Sequence, residues 1–142
     1  MQNAPPGQPA KSGVGLDPNV AAALSYIWIV GLIFFFIEKE NKFIRFHAMQ
    51  SVICGIAASV LMIVLAIINV ILAIIVGVAA GAAGGTAGSL AGSIVGLISL
   101  LIWVVVPLAY LGLLILTAVK AYGGQMFKLP VVGNMAEKIA NK

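Results

Sequence analysis

The sequence predicts an all-α polytopic membrane protein with three transmembrane helices, from two observations. Of its 142 residues, 62% are hydrophobic and only 8% are charged, so a water-soluble fold would lack the polar side chains to cover its surface. No Lys, Arg, Asp or Glu stands between Arg45 and Lys120, and such a run can cross a hydrocarbon core of about 30 Å more than once. The bilayer is therefore the expected solvent for most of the chain.

The N-terminal part predicts a disordered tail over residues 1–18, because its prolines and glycines have no apolar period that would offset the entropy of ordering. Asp17 can cap a helix, and Pro18 suits the first helical position. A first span is expected to follow directly.

The long apolar region after residue 50 must fold back, since it exceeds one crossing. Within its glycine-rich stretch, the adjacent Gly84 and Gly85 are the best turn signal, which places the tip of a helical hairpin between residues 78 and 88. Together the spans form a transmembrane domain over residues 19–122. The three predicted spans are 19–37, 50–77 and 89–122.

Glycines spaced by four residues give the hairpin tip a second interpretation. If this stretch is helical, they form a flat surface that another helix can approach closely; a merely flexible connection is the alternative. A phosphate-binding loop is not expected, because neither a βαβ unit nor a P-loop lysine accompanies the glycines. The candidate packing residues are Gly84, Gly88, Gly92 and Gly96.

Charge predicts the orientation of the chain. With three spans, seven of the eight Lys and Arg residues lie on one side and only Lys11 lies opposite, whereas four spans would divide them five against three. The positive-inside rule therefore predicts an external N-terminus and a cytoplasmic C-terminus in a prokaryotic inner or plasma membrane.

Residues 38–50, here called the elbow, hold five of the twelve charged side chains and the only histidine. Helical spacing puts one aromatic, hydrogen-bonding face beside a basic one. Either the phenylalanines anchor the elbow while the basic groups meet anionic lipid phosphates, or His47 and Gln50 point into the bundle and bind a partner. The candidate partner or lipid contacts are Lys42, Phe43, Arg45, Phe46, His47 and Gln50.

Residues 123–142 predict a cytoplasmic, interfacial tail. Gly123 and Gly124 end the last span, and Asn134 is expected to cap a short final helix, Met135–Ala140, together with Glu137. Nucleic-acid binding is not expected, because the few basic residues of the tail are spread out.

Three blocks of sequence, residues 15–24, 37–51 and 119–134, resemble the Tic20-like (DUF4870) membrane proteins of bacteria and archaea. The glycine-rich stretch departs from that pattern, since those proteins join their second and third spans by a shorter turn. The resemblance implies the three-span architecture and a role in protein translocation, because plant members belong to the import machinery of the chloroplast inner envelope.

The expected function is that of a non-catalytic component or accessory subunit of a membrane complex. The alternative is a small-solute channel or transporter, although the spans offer few polar groups. Neither an enzyme nor a cofactor or metal site is expected, because no nucleophile has an acid or base beside it in the sequence and His47 is alone. The expected partners are anionic lipids and other membrane subunits or a second copy of the chain.

Overall fold

The computed structural model describes residues 12–142, and all regular secondary structure in this part is helical, which confirms the all-α prediction there. Two helices, Lys42–Ala83 and Gly85–Tyr122, are long and apolar enough to cross a membrane, whereas the helix Trp28–Ile37 is apolar but has only 10 residues. The count of three spans is therefore not confirmed. The helices are α1 (Pro18–Leu24), α2 (Trp28–Ile37), α3 (Lys42–Ala83), α4 (Gly85–Tyr122) and α5 (Val132–Ala140).

Helix α1 begins as the sequence predicts. Asp17 Oδ1 accepts hydrogen bonds from the backbone N–H groups of Asn19 at 2.9 Å and Val20 at 3.4 Å, and Pro18 is the first helical residue. The predicted disordered tail lies mostly outside the described residues. Its described end forms a turn, in which the Gly15 N–H donates to the Ser12 carbonyl at 3.2 Å.

The predicted first span, 19–37, is not one continuous helix. Helix α1 ends at Leu24, and α2 starts after Ile27, whose backbone is extended. A Cβ atom at Gly31 would collide with the backbone carbonyl of Ser25. The absence of a side chain at Gly31 therefore lets the chain fold tightly at this break.

The chain divides into two compact units. Among the described residues, the first unit comprises 12–57 and 112–142, and thus holds α1, α2, α5 and one end of each long helix. The second unit, residues 58–111, holds the remaining parts of α3 and α4.

Within the first unit, α2 runs antiparallel to the start of α3. A Cβ atom at Gly55 would lie 2.6 Å from the Trp28 ring, while Phe35, seven residues further along α2, lies under the guanidinium of Arg45. Residue numbers therefore rise along α2 as they fall along α3.

The other two short helices pack against different parts of the same unit. In α1, Ala22 packs with Tyr26 and with Ala121 near the end of α4. In α5, Ala136 and Ala140 lie one turn apart and pack on a cluster that includes Phe46 of α3. Small side chains at these contacts let the helices approach closely.

Helix α5 starts earlier than predicted, and the predicted Asn134 cap is wrong. The helix begins at Val132 because the Gly133 N–H already bonds the Leu129 carbonyl at 2.8 Å, so Asn134 lies inside the helix. Glu137 does not complete a cap; it accepts from Lys128 Nζ at 2.8 Å.

Within the second unit, the hairpin turn is shorter than the predicted tip. Gly84 alone separates α3 from α4, with φ of +59°, a backbone conformation that glycine adopts without steric cost. Further along the pair, Asn69 Nδ2 donates to Ser99 Oγ at 2.7 Å. This bond pairs two polar side chains that would otherwise face apolar surroundings.

The four candidate packing glycines have different environments. Gly84 lies in the turn, and therefore not on the flat helical surface in which the sequence placed it. A Cβ at Gly88 would collide with the Ala80 carbonyl, so the two helices approach closely there. Gly92 and Gly96 have no atom within 4 Å of their Cβ positions, and their packing with another chain stays a prediction.

This contrast gives a matched pair of alanine variants. We expect Gly88→Ala to lower the thermal stability of the protein in detergent, with an overpacking cost of about 1–3 kcal/mol, because the Ala80 backbone blocks the added methyl group. Gly92→Ala adds the same group in open space and should leave the melting temperature unchanged or slightly raised. Equal melting temperatures for the two variants would contradict the close approach at Gly88.

Candidate functional site

Three polar side chains meet in the interior of the first unit: Tyr26 from the break between α1 and α2, and His47 and Gln50 from the first turns of α3. His47 and Gln50 have no exposed surface, and Tyr26 is 6% exposed. We call these three residues the polar cluster. It lies against residues 125–129, which follow α4 and belong to no helix.

The hydrogen bonds of the polar cluster have a defined direction. His47 Nε2 lies 3.1 Å from the Gln125 carbonyl, which can only accept, so this nitrogen is assigned the proton. Nδ1 of the neutral ring then accepts from the Tyr26 hydroxyl at 2.9 Å. The same hydroxyl accepts from Gln50 Nε2 at 2.8 Å. Each polar atom of the histidine ring is therefore satisfied within the chain.

Gln50 joins the cluster to two further backbone groups. Its Nε2 also donates to the Phe127 carbonyl at 3.0 Å, and its Oε1 accepts from the Leu129 N–H at 3.3 Å. Together with the Gln125 carbonyl, these groups come from every second residue of the segment 125–129. Within the segment itself, the Phe127 N–H donates to the Gln125 carbonyl at 2.9 Å, and the polar cluster supplies the other partners.

Aromatic rings enclose the histidine. The ring centroids of Phe43, Phe46 and Tyr26 lie 4.7, 5.0 and 5.8 Å from that of His47, all in edge-to-face arrangements. This shell keeps water from the hydrogen bonds, which are stronger in a low-dielectric interior and costly to leave unmade.

A second polar site lies in the loop between α2 and α3, where Glu38 has no exposed surface. Its Oε1 accepts from the backbone N–H groups of Glu40 at 3.1 Å and Asn41 at 3.0 Å. Its Oε2 accepts from the Gly13 N–H at 2.7 Å and the Ser12 hydroxyl at 3.4 Å. A single carboxylate thus ties the residues before α1 to those after α2.

These donors determine the ionisation of Glu38. Burial by itself would raise the pKa of the carboxyl, but the backbone N–H groups of Asn41, Glu40 and Gly13, with the Ser12 hydroxyl, favour the charged form. Together they hold the pKa of Glu38 below its ordinary value. Backbone and hydroxyl hydrogen bonds therefore stabilise the charge.

The structure separates the six predicted elbow contacts into two groups. His47, Gln50 and Phe46 are buried, and Phe43 is half-buried in the same shell, so these side chains face the interior of their own unit. Lys42 is exposed and Arg45 is half-buried. Contact of any of the six with lipid or a partner stays a prediction.

Chemically, the polar cluster is a closed set of hydrogen bonds. Among residues 12–142, no group of three or more His, Cys, Asp and Glu side chains could hold a metal ion. Cys54 is buried. The arrangement therefore fixes the segment after α4 on the start of α3.

Sequence reasoning missed two members of these sites, Tyr26 and Glu38. Tyr26 was a detectable candidate, because a hydroxyl within an apolar run needs a partner in the interior. Glu38 precedes Asn41, whose Oδ1 caps α3 by accepting from Phe43 at 3.1 Å and Ile44 at 3.3 Å. The tie from Glu38 back to Gly13 has no signal in the sequence.

Comparison with known proteins shows similarity to one family over most of the chain. The model of the MamF/MmsF family, described as a magnetosome magnetite crystal formation protein family, matches residues 17–136. A UPF0132 membrane protein of Methanocaldococcus jannaschii is 35% identical over 133 residues, covering 90% of this chain and 93% of the relative. A UPF0132 membrane protein of Archaeoglobus fulgidus is 37% identical over 125 residues, covering 87% and 95%. No solved structure matches.

These matches correct the resemblance drawn from the sequence. The blocks at 15–24, 37–51 and 119–134 fall largely within the region that the MamF/MmsF model matches, and the relatives are UPF0132 membrane proteins. The assignment to the Tic20-like family is therefore wrong, and the link to protein translocation loses its support. Membrane localisation is supported by the relatives and by the two long apolar helices.

The polar cluster predicts the effect of removing its histidine. His47→Leu removes the acceptor of the Tyr26 hydroxyl proton and the side-chain donor to the Gln125 carbonyl, so we expect a loss of about 1–3 kcal/mol in the free energy of unfolding. Trypsin should then cleave after Lys128 faster, as the segment detaches. Lys42→Leu, at an exposed position of the same helix, is the control and should change neither the melting temperature in detergent nor the cleavage rate. Wild-type values for His47→Leu would contradict the role of the cluster.

Glu38 predicts a dependence of stability on pH. Because its pKa is lowered in the folded state, its contribution is full above the ordinary pKa of a glutamate and is lost as pH falls through the folded value. Glu38→Gln should therefore lower the melting temperature at neutral pH, and the gap to wild type should shrink on acidification. Glu40→Gln, at an exposed neighbouring position, is the control. A gap independent of pH would contradict stabilisation by the ionised carboxylate.

Proposed function

We propose that this chain, which belongs to the MamF/MmsF family of magnetosome magnetite crystal formation proteins, serves as a non-catalytic structural component or accessory subunit of a membrane assembly. The observation that carries the proposal is a difference between the side chains of the two units. The polar cluster and Glu38 of the first unit make their hydrogen bonds within the chain, while the second unit presents apolar side chains outward along both long helices. Such a surface suits lipid and neighbouring helices.

The state of the buried polar groups supports a role without catalysis. A general base or nucleophile must reach a substrate with a free lone pair or proton. Both nitrogens of His47 are occupied within the chain, and both oxygens of Glu38 accept from the loops around it. These groups hold segments together.

The family is described as one of magnetite crystal formation proteins. Residues 12–142 contain only four Asp and Glu residues. No group of three or more His, Cys, Asp and Glu side chains among them could hold a metal ion. We therefore propose for this chain a role in the organisation of a membrane, and not direct contact with a mineral.

The start of α3 supports contact with anionic lipid headgroups in a prokaryotic plasma membrane. The Arg45 side chain is half-buried, with its guanidinium 5.4 Å from the centroid of the Phe35 ring. Lys42 is exposed one turn earlier on the same helix. Two cations at the point where a long apolar helix begins are suited to lipid phosphates at a cytoplasmic surface.

The second unit supports contact with another membrane protein or a second copy. Gly92 and Gly96 lie one turn apart with open space at their Cβ positions. In a bilayer, helix association depends on close van der Waals fit, for which bare backbone is favourable. These two glycines are therefore the proposed contact.

Purification in mild detergent tests the proposal. We expect the wild-type chain to elute with a stoichiometric partner or as a defined oligomer, and Gly92→Leu to lose that complex while its melting temperature is kept. Ser93→Leu, rotated by about 100° on the same helix, is the matched control and should retain the complex. A monomer without partner that conducts solute after reconstitution into liposomes would overturn the proposal in favour of the channel or transporter.

A further inference from the structure

The two ends of the α1–α2 segment lie next to each other. The Gly13 N–H donates to Glu38 Oε2 at 2.7 Å, so the residue positions before α1 and after α2 are in direct contact. A continuous helix over residues 19–37 would separate its ends by about 28 Å. A segment that returns to its starting point does not cross a bilayer.

Between those ends, the chain runs away from the elbow along α1 and returns to it along α2. At its start, a Cβ atom at Gly124 would lie 3.5 Å from Asn19 Nδ2, which places the beginning of α1 beside the residues after α4. At its innermost point, Trp28 lies against Gly55, thirteen residues into α3. Helix α2 then returns along α3 to Glu38. Both ends of the path are thus at the elbow.

The backbone N–H groups of the break are paired: that of Tyr26 donates to the Ala23 carbonyl at 3.2 Å and that of Ile27 to the Leu24 carbonyl at 3.0 Å, while the Ile27 side chain is 57% exposed. Non-helical backbone is tolerated at membrane depth only where protein covers it. Ser25 has no exposed surface and Tyr26 is 6% exposed, and the Ser25 hydroxyl donates to the Ala21 carbonyl at 2.8 Å. The turn between the helices therefore suits a position inside the hydrocarbon region.

The outer face of α2 is apolar and open. Its ten residues rise about 15 Å, half the thickness of a hydrocarbon core. This face continues along the exposed side of α3 at Ile56, and charged residues follow immediately at its end. Lipid acyl chains of one leaflet are the occupant that matches this length and continuity. The exposed residues of the face are Trp28, Ile29, Leu32, Ile33, Phe36 and Ile37.

We propose that α1 and α2 form a re-entrant helix pair, inserted into the cytoplasmic leaflet only, so that α3 and α4 are the two spans and the residues before α1 are cytoplasmic. Charge supports this topology: all eight Lys and Arg residues in the sequence then lie on one side, compared with seven for three spans. The external N-terminus expected from the sequence is thereby replaced.

Topology reporters test the orientation. Reporters joined before Met1 and after Lys142 should both report cytoplasm, and a reporter inserted after Gly84 should report the outside. An external N-terminal reporter with a cytoplasmic C-terminal one would restore three spans and overturn the inference. An external reporter at both ends would contradict the cytoplasmic leaflet.

A distance measurement tests the return of the chain separately from orientation. Spin labels at Leu16→Cys and Lys39→Cys, in a Cys54→Ala background and in lipid nanodiscs, should give a narrow distribution well below the roughly 28 Å of a crossing helix. Gly31→Leu, which places a side chain against the Ser25 carbonyl, should lengthen and broaden the distribution. A wild-type distance of about 28 Å or more would overturn the re-entrant pair.

Discussion

The architecture of the first unit depends on the need to satisfy backbone polar groups where water is scarce. The segment after α4 leaves helical geometry, so its carbonyl and N–H groups require partners. Gln50 forms hydrogen bonds with the Phe127 carbonyl and the Leu129 N–H, and His47 forms one with the Gln125 carbonyl. Because one turn of α3 meets these needs, the segment can lie on the helix without a sheet.

The other polar site, around Glu38, also depends on hydrogen bonds to backbone groups. A buried carboxylate is costly unless hydrogen bonds or charges compensate it, and here backbone N–H groups from two separate stretches do so. The result is a short connection between Gly13 and the start of α3. Because of that connection and the close fold at Gly31, the first unit differs from a simple bundle of continuous helices.

Several elements were predictable because their causes are local. The cap at Asp17, the helical start of α3 and the glycine turn near residue 84 each depend on residues within a few positions of one another. The polarity of His47 and Gln50 also indicated, from the sequence, that these side chains avoid lipid. Their partners could not be predicted, since Gln50 reaches Phe127 and Leu129, 77 and 79 positions further along the chain.

Composition and charge spacing alone determined that the chain is helical and belongs in a membrane, because the bilayer selects for long apolar helices regardless of their neighbours. Tertiary structure decided which apolar segments are long helices. Residues 19–37 have enough apolar character for a span, yet they break at Ser25–Ile27 because Gly31 permits a close return and Glu38 binds the chain before α1. Hydrophobicity reports solvent preference, while the direction of the chain depends on contacts between distant residues.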